Sequence, residues 1–402
     1  MMQDSKIDLV KIEKLRRHRR RRKLTFIIAL MLFVCMVLAY FTGLYGASLS
    51  VFGDLVDTAY AAINKGDGYP INFTMTGLIK AQPLAGGFAS IGESDFAIYS
   101  SSGKELRRLQ HGYARPAMSC GNTRAAIYNR AGTELRIESR SRNLFRKIFD
   151  KPIQLVEMSA GGSFAVITQS LRYEAELTVF NSLFEPAYYW YSAQDTPVCM
   201  AMSRDGRKVA VAAVSPQAGA LSSHIYMLDI GLDEPAAEII SDDTLPLQLK
   251  YLPNGDLAVI YDAYAAVYSQ NDGKELYRYN FDERTLQTAA IEDKYIALVF
   301  TDASHLSDTS LVLLSGNMEE MCSEKIGSAV VDICTVPNAV NVLSDTQVFT
   351  YGTDGKLWEK QAIQGKGETI INSKKLLLFT RNNVSELTQP VQPKSPRKSL
   401  FK

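Results

Sequence analysis

Beyond Pro70 the apolar residues of the chain come in short runs. Runs rich in Val, Ile, Tyr, Phe and Thr alternate with turn residues, the pattern of short strands joined by tight turns. One element recurs: an apolar strand that ends at a small or polar residue and leads through a turn into a second strand. Its ends are Ser100, Ser139, Asn181, Asp229, Ser269, Ser315 and Gly352. These ends are 42 residues apart on average, which predicts a repeat architecture.

Three of the recurring strands lead into nearly the same turn sequence. The turns are Ser102-Gly103-Lys104, Asp272-Gly273-Lys274 and Asp354-Gly355-Lys356. Glycine supplies the positive φ of a tight hairpin, and Asp or Ser before it favours the same geometry. A further strand pair precedes each turn, so each unit is interpreted as four strands in about 40 residues. This is the signature of a β-propeller blade.

Seven complete units fit the body of the chain, and the residues left at its two ends predict an eighth. The seven units are 78–111, 112–151, 153–194, 197–241, 246–284, 286–327 and 329–364. Three more strands within Glu368–Gln389, together with Asn72–Thr76, complete a last sheet that closes the ring without an unpaired edge. We therefore predict an all-β fold, a β-propeller of eight blades. Seven blades are the alternative, and two stacked β-sandwiches fit the sustained period less well.

A different pattern precedes this body. Leu24–Gly53 contains no charged residue, and residues 26–45 are almost continuously apolar. About 20 helical residues cross a hydrocarbon core of ~30 Å. We therefore predict a transmembrane signal-anchor helix at 24–46. A cleaved signal peptide is the alternative, but its apolar region would be unusually long and no good cleavage site follows.

The charge around the apolar segment is one-sided. Residues 1–23 carry ten Lys/Arg against three Asp/Glu, whereas residues 24–402 carry 34 against 40. The residues that set the orientation are Arg16, Arg17, Arg19, Arg20, Arg21, Arg22 and Lys23. Basic residues on one flank keep that flank in the cytoplasm, which predicts a single-pass plasma-membrane protein with an extracytoplasmic body. The mildly acidic body lacks the broad positive face that a nucleic-acid partner requires.

These patterns predict five parts of the chain. They are a cytoplasmic basic tail at 1–23, the transmembrane helix at 24–46 in the lipid bilayer, a stalk at 47–70, the propeller at 71–389 and a disordered basic tail at 390–402. The stalk ends where two glycines and a proline break helical geometry, in residues 66–70. Within the propeller, Ser215–Ser223 is rich in small residues and is interpreted as a loop.

Motifs that would carry chemistry are missing from the sequence. The cysteines are Cys35, Cys120, Cys199, Cys322 and Cys334, and the histidines are His18, His111, His224 and His305. No cysteines are in CxxC spacing, so free thiols are expected, with Cys322–Cys334 as the disulfide alternative. The histidines lack metal-ligand spacing, and there is no nucleophile elbow, phosphate loop or dinucleotide motif. We therefore predict no catalytic, cofactor-binding or metal-binding residues.

The run Tyr188, Tyr189, Trp190 and Tyr191 is the aromatic feature that stands out. In a propeller such a run either packs between blades or forms a partner surface, where Tyr and Trp provide large contact area at little entropic cost. The sequence leaves both interpretations open.

The turn at residues 353–359, Thr-Asp-Gly-Lys-Leu-Trp-Glu, resembles the repeat of propellers related to pyrroloquinoline-quinone enzymes. The adjacent cysteine pair of those enzymes is absent, and Trp190 and Trp358 are the only tryptophans, so that activity is not expected. The Gly-His and Trp-Asp signature of other propellers is absent as well. Over residues 10–390 the layout is similar to an uncharacterised bacterial family, domain of unknown function family 5711. This resemblance implies a Gram-positive-type cell envelope and brings no catalytic residues.

Together these features predict a membrane-anchored extracytoplasmic binding or scaffold protein. Its partner would be a protein or a cell-wall polymer. One alternative is an extracytoplasmic sensor. Another is a glycan-active enzyme, which would need two carboxylates that converge at the central channel.

Overall fold

A computed structural model describes residues 57, 60, 61, 63–217, 219–301 and 309–388 of the chain. The predicted cytoplasmic tail, the transmembrane helix, the first part of the stalk and the C-terminal tail lie outside the described residues. Residues 57, 60, 61 and 63 are helical, and no described helix has the length and apolar character needed to span a membrane. The remainder is all-β, with 32 described strands in eight four-stranded sheets. The prediction of an eight-bladed propeller is confirmed.

Strand β1 (Ile71–Asn72) belongs to the last blade, and blades 1 to 4 follow it in chain order. Blade 1 consists of β2 (Leu78–Leu84), β3 (Gly87–Gly92), β4 (Asp95–Tyr99) and β5 (Glu105–Gln110). Blade 2 consists of β6 (Pro116–Cys120), β7 (Ala125–Asn129), β8 (Glu134–Glu138) and β9 (Asn143–Ile148). Blade 3 consists of β10 (Ile153–Met158), β11 (Phe164–Gln169), β12 (Ala175–Phe180) and β13 (Pro186–Ser192). Blade 4 consists of β14 (Thr196–Met202), β15 (Lys208–Gln217), β16 (Ala220–Asp229) and β17 (Ala237–Asp242).

Blades 5 to 8 complete the ring. Blade 5 consists of β18 (Pro246–Tyr251), β19 (Leu257–Tyr261), β20 (Tyr264–Tyr268) and β21 (Glu275–Asn280). Blade 6 consists of β22 (Thr285–Ile291), β23 (Tyr295–Thr301), β24 (Thr309–Ser315) and β25 (Glu320–Lys325). Blade 7 consists of β26 (Val330–Val336), β27 (Ala339–Ser344), β28 (Gln347–Gly352) and β29 (Leu357–Ala362). Blade 8 consists of β30 (Gly367–Asn372), β31 (Leu376–Thr380), β32 (Asn383–Leu387) and β1.

Burial follows the position of a strand within its blade. The two middle strands are covered by the neighbouring blades on both faces, so every residue of β19 and β20 is buried. The outermost strand β21 is largely exposed. The apolar core therefore lies between blades. Between blades 4 and 5, for example, Ala210 and Ala212 pack in one cluster with Tyr261 and Tyr264.

The first strands of neighbouring blades contact one another and line a central channel. Because adjacent strands of a blade are antiparallel, the turns after its first and third strands lie on one side of the ring. We call this side the stalk-side face, since Asp57, Gly66 and Gly68 contact it. Ser141 Oγ donates to the Asp57 carboxylate, and the Gly66 and Gly68 N–H groups donate to Ser102 Oγ and Ser102 O at 2.8 and 3.1 Å. The other connections form the opposite face.

The predicted closure of the ring by both ends of the body is confirmed. Strand β1 pairs with β32, with Ile71 opposite Val384. The strand from the N-terminal side is nevertheless Ile71–Asn72, not the predicted Asn72–Thr76. Phe73 is 2% exposed and packs edge-on against Phe379 at a centroid distance of 5.5 Å. The Phe73 N–H still donates to Asn382 O at 2.9 Å, but the regular pairing ends there and the side chain is buried between blades 8 and 1.

The interpretation of Ser215–Ser223 as a loop is wrong. Strands β15 and β16 are each ten residues long, and they pair as far as Gln217 with Ala220. Ser222 and Ser223 are 1% exposed, and Ser223 Oγ donates to Ser241 O of β17 at 3.2 Å. Small side chains fit here because a third strand covers the hairpin.

Candidate functional site

Two cavities open along the central channel. One, of about 630 Å³, is lined by the first strands of blades 1 to 4. The other, of about 570 Å³, is lined by the first strands of blades 7, 8 and 1. Ile79 and Lys80 of β2 line both cavities. Strand β2 therefore separates the two parts of the channel.

Glu157 is the one carboxylate of the first cavity. It projects from β10, a strand that is otherwise apolar apart from Gln154, and it accepts a hydrogen bond of 3.1 Å from Ser119 Oγ. Burial raises the pKa of Glu157 to about 7, although the nearby Lys80 charge and the Ser119 bond act in the lowering direction. Its carboxyl group therefore keeps its proton to a higher pH than that of an exposed glutamate.

The same cavity is basic where it meets the opposite face. Arg115 and Arg130 line it there and are both exposed. Their backbones are joined, since the Arg130 N–H donates to Arg115 O at 2.8 Å. Lys80 Nζ donates to Met118 O at 3.2 Å. The cavity thus contains three basic side chains for one acidic group.

Two carboxylates line the second cavity, the half-buried Asp332 of β26 and the exposed Glu368 of β30. Asp332 accepts hydrogen bonds from Thr369 Oγ1, from the Ile370 N–H at 3.0 Å and from the Ile333 N–H at 2.8 Å. Burial raises the pKa of Asp332 above the usual aspartate value, although these hydrogen bonds lower it. Since two of the donors belong to β30, this carboxylate links blade 7 to blade 8.

The pair of carboxylates that glycoside hydrolysis requires is not formed in the first cavity, where Glu157 is alone. In the second cavity both oxygens of Asp332 are occupied by hydrogen bonds, and the other carboxylate, Glu368, is exposed. No group of three or more His, Cys, Asp or Glu placed to hold a metal ion occurs among the described residues. In the channel, Glu157 is therefore a titratable group, and Asp332 is a structural link between two blades.

The aromatic run of residues 188–191 lies on β13, the outermost strand of blade 3. Side chains of a strand alternate between its two faces, and the run is divided accordingly. Tyr188 is 8% exposed, and Trp190 packs against Tyr226 of blade 4 with ring centroids 4.8 Å apart. Tyr189 and Tyr191 are 51% and 45% exposed. Packing between blades therefore describes the first pair, and the predicted partner surface is reduced to the second.

Two residues that the sequence analysis did not single out extend this exposed pair. Tyr173 packs on Tyr191 with ring centroids 4.8 Å apart, and Leu171 beside it is 83% exposed. Both belong to the connection between the second and third strands of blade 3, so they lie on the opposite face. We call Leu171, Tyr173, Tyr189 and Tyr191 the aromatic patch.

The described histidines, His111 and His224, make hydrogen-bonding contacts within the propeller. His111 Nε2 lies 3.1 Å from Gly92 O, and the Tyr113 N–H donates to His111 Nδ1 at 3.0 Å. Burial lowers the pKa of His111. His224 Nδ1 lies 2.8 Å from Glu238 Oε1.

All four described cysteines, Cys120, Cys199, Cys322 and Cys334, are separate thiols. Burial raises the pKa of Cys120, Cys199 and Cys334 to about 12, which makes these thiols unreactive. The orientation residues Arg16, Arg17, Arg19–Arg22 and Lys23, together with Cys35, His18 and His305, lie outside the described residues.

The sequence profile of a family of unknown function (DUF5711) matches residues 63–388. The chain belongs to the DUF5711 family. The matched range includes all eight blades and residues 63–70 of the predicted stalk. The family resemblance found in the sequence is therefore confirmed. No curated protein matches this DUF5711 chain.

Solved structures similar to the DUF5711 propeller include BamB from Moraxella catarrhalis, with a TM-score of 0.52, 12% identity and coverage of 79% of this chain and 98% of that chain. The C-terminal WD40 domain of Sif2 has a TM-score of 0.55, 14% identity and coverage of 79% and 100%. Sqt1 from Saccharomyces cerevisiae has a TM-score of 0.60, 10% identity and coverage of 81% and 100%. At these identities the likeness shows the propeller fold alone.

Proposed function

We propose that this DUF5711 protein is a membrane-anchored extracytoplasmic scaffold that binds a protein partner through the aromatic patch. The observation that carries the proposal is the exposed patch of Leu171, Tyr173, Tyr189 and Tyr191 at the outer edge of blade 3. Clustered aromatic side chains that are about half exposed leave apolar surface in water, which a partner would cover favourably.

The geometry of the patch supports protein binding. Tyr189 and Tyr191 project from β13, whose other face is fixed by Tyr188 and Trp190 in the interface with blade 4. The connection that carries Tyr173 is held by a hydrogen bond of 2.9 Å from the Glu174 N–H to Ser192 O. A preorganised aromatic surface loses little conformational entropy when it binds.

A similar propeller is described with a protein segment. The structure of Chaetomium thermophilum Sqt1, with a TM-score of 0.53, 11% identity and coverage of 76% of this chain and 94% of that chain, is described as bound to the N-terminus of the ribosomal protein L10. That partner is a property of Sqt1. Its relevance here is that a fold of this kind suits protein segments, and a cell-wall polymer is the alternative partner.

The membrane part of the proposal rests on the sequence. The uncharged segment Leu24–Gly53 follows a cluster of Arg and Lys, and this charge asymmetry supports a body outside the cytoplasm. A reporter enzyme that is active only outside the cytoplasm, fused after Lys402, is expected to be active. A reporter that works only in the cytosol would contradict the proposed orientation.

The partner surface is tested by photo-crosslinking in cells. A crosslinking amino acid at Tyr189 is expected to capture a defined protein, and the substitutions Tyr173→Ala and Tyr191→Ala are expected to abolish capture. The matched control is a crosslinker at Tyr277, a residue of the outermost strand of blade 5 that is 41% exposed. Equal capture from both positions, or recovery of wall glycan instead of protein, would contradict the proposal.

A further inference from the structure

The charge on the stalk-side face is divided between two parts of the ring. The five described turns of blades 8, 1 and 2 on this face are 373–375, 85–86, 100–104, 121–124 and 139–142. They contain six Lys/Arg and no Asp/Glu. These basic residues are Lys104, Arg124, Arg140, Arg142, Lys374 and Lys375. We call these turns the basic sector.

The turns of blades 4 to 7 on the same face have the opposite balance. They contain nine Asp/Glu against five Lys/Arg. Two of the five basic side chains are paired with acidic neighbours: Lys274 pairs with Asp272 at 2.9 Å, and Lys356 pairs with Asp354 at 3.4 Å. A negatively charged surface would therefore be attracted to blades 8, 1 and 2 and repelled by blades 4 to 7.

Three charges of the basic sector have no ion-pair partner among the residues that the structure describes. Lys104, Arg142 and Lys374 are exposed, and none of them forms an ion pair with another described residue. The remaining three have internal roles. Lys375 Nζ binds Glu386 at 2.5 Å, whereas Arg124 and Arg140 are 4% and 5% exposed.

The chain that enters the propeller contacts this same sector. Asp57, which is 3% exposed, bonds to Ser141 in the turn that also carries Arg142. Gly66 and Gly68 bond to Ser102 in the turn that carries Lys104. Ten residues separate Gly46, the end of the predicted transmembrane helix, from Asp57. Even a fully extended segment of that length reaches only about 35 Å.

We propose that the basic sector binds the anionic phospholipid headgroups of the membrane that anchors the protein. Lys104, Arg142 and Lys374 donate to lipid phosphate oxygens, and the stalk-side face is thereby directed toward the bilayer. The aromatic patch on the opposite face then points away from the membrane. This inference rests on the anchoring part of the proposed function, since the short segment before Asp57 brings the sector to the lipid surface.

Two general properties of such contacts favour lipid over a distant polymer. Lysine and arginine near an anionic membrane surface are attracted within a Debye length, about 8 to 10 Å in physiological salt. Asp57, Gly66 and Gly68 are hydrogen-bonded to the turns of this sector, so the chain enters the propeller beside these side chains. A wall polymer would instead have to enter between the face and the bilayer.

The test uses the full-length chain in nanodiscs of phosphatidylcholine, with or without phosphatidylglycerol. Hydrogen–deuterium exchange is followed in the turns 100–104 and 139–142. We expect slower exchange in the anionic discs and loss of that difference at high salt, because exposed charge interactions are screened. The combined substitutions Lys104→Gln, Arg142→Gln and Lys374→Gln are expected to abolish the difference.

The matched control carries Lys274→Gln, Lys294→Gln and Lys356→Gln, which remove the same charge from the same face in blades 5 to 7. It is expected to keep the wild-type difference. Both variants retain residues 389–402, so the charge of that segment does not affect the comparison. Equal effects of the two variants would overturn the proposal, because they would show a general charge effect.

The outcomes separate this inference from the anchor itself. A chain that stays in neutral discs but shows no protection in anionic discs overturns the basic sector and leaves the anchor intact. A chain that binds only anionic discs, and is released by the basic-sector variant, supports the sector and contradicts the anchor. Protection in neutral discs on addition of soluble teichoic acid, without protection by phosphatidylglycerol, assigns the sector to a polymer and overturns the proposal.

Discussion

Glu157 and Asp332 occupy similar places in the ring, yet the protein around them differs. Each is an acidic residue on the first strand of its blade and lines a cavity of the channel. Asp332 accepts three hydrogen bonds from Thr369, Ile370 and Ile333. Glu157 accepts one, from Ser119.

The difference shows what decides the role of a buried carboxylate. Donors that converge on a charged oxygen offset part of the cost of removing it from water. At Asp332 they also come from the next blade, so the side chain becomes a link across an interface. At Glu157 the compensation is small, and its pKa of about 7 makes it a group that exchanges a proton near neutral pH.

The largest expected effect is that of Asp332→Ala. Its removal leaves the Ile370 and Ile333 N–H groups and the Thr369 hydroxyl without their acceptor, which costs about 3 kcal/mol of unfolding free energy. Asp332→Asn is expected to cost less, because the amide oxygen still accepts hydrogen bonds. Urea denaturation of both variants measures the difference, and a loss below about 1 kcal/mol for alanine would contradict the role as a link.

Glu157 predicts a dependence of stability on pH. A carboxyl with a folded-state pKa of about 7 and an unfolded-state pKa of about 4.3 binds more protons in the native protein between those values. The free energy of unfolding therefore falls as pH rises through this window. We expect a fall of about 2 kcal/mol between about pH 5 and 8, less than the full shift would give, because water reaches the channel lining.

The substitution Glu157→Gln isolates this contribution. It removes the titrating group, so the variant should lose that part of the slope and exceed the wild type in stability at pH 8. Denaturation at a series of pH values makes the comparison. An unchanged slope would show that Glu157 is already ionised throughout the window.

A smaller effect is expected from Lys80→Met. The Lys80 charge acts to lower the pKa of Glu157, so its loss should raise the pH at which the free energy of unfolding changes most steeply. The free energy of unfolding at pH 8 should change by less than about 1 kcal/mol. Lys250→Met is the control, since Lys250 lies on another first strand and pairs with Asp293 at 3.2 Å. If both variants raise this pH equally, the effect belongs to the net charge of the protein.

The smallest expected effect is on partner capture. Glu157→Gln should capture as much partner as the wild type, because the aromatic patch lies at the outer edge of blade 3 and not in the channel. The crosslinker at Tyr189 provides the measurement. Loss of capture in this variant would move the binding site into the channel.

Much of the fold was predictable because its signals are local. The Asp-Gly-Lys turns and the repeat of about 40 residues gave the blade unit, and the strands left over at the two ends gave the eighth blade. The exact strand at the closure was not predictable. Phe73 and Met75 alternate with polar residues as in a strand, but they are buried in the cluster that also contains Phe88 and Phe379.

The site was predictable only in part. The run 188–191 indicated an aromatic feature, but the period of two did not show which pair faces solvent. The neighbours Leu171 and Tyr173 come from a separate connection, and only the fold brings them to Tyr191. Glu157 and Asp332 were missed, although an isolated acid within an apolar strand, IQLVEM or VVDICTV, was a usable signal.

The two-residue strand Ile71–Asn72 has a consequence for biosynthesis. Its partner in β32 is made more than 300 residues later, so the ring stays open until β32 has been synthesised. A truncated chain that ends before Asn383 would lack β32, whose residue Val384 packs in one cluster with Phe73 and Phe379. Incomplete chains would thus expose apolar surface to proteases and chaperones, whereas complete propellers bury it.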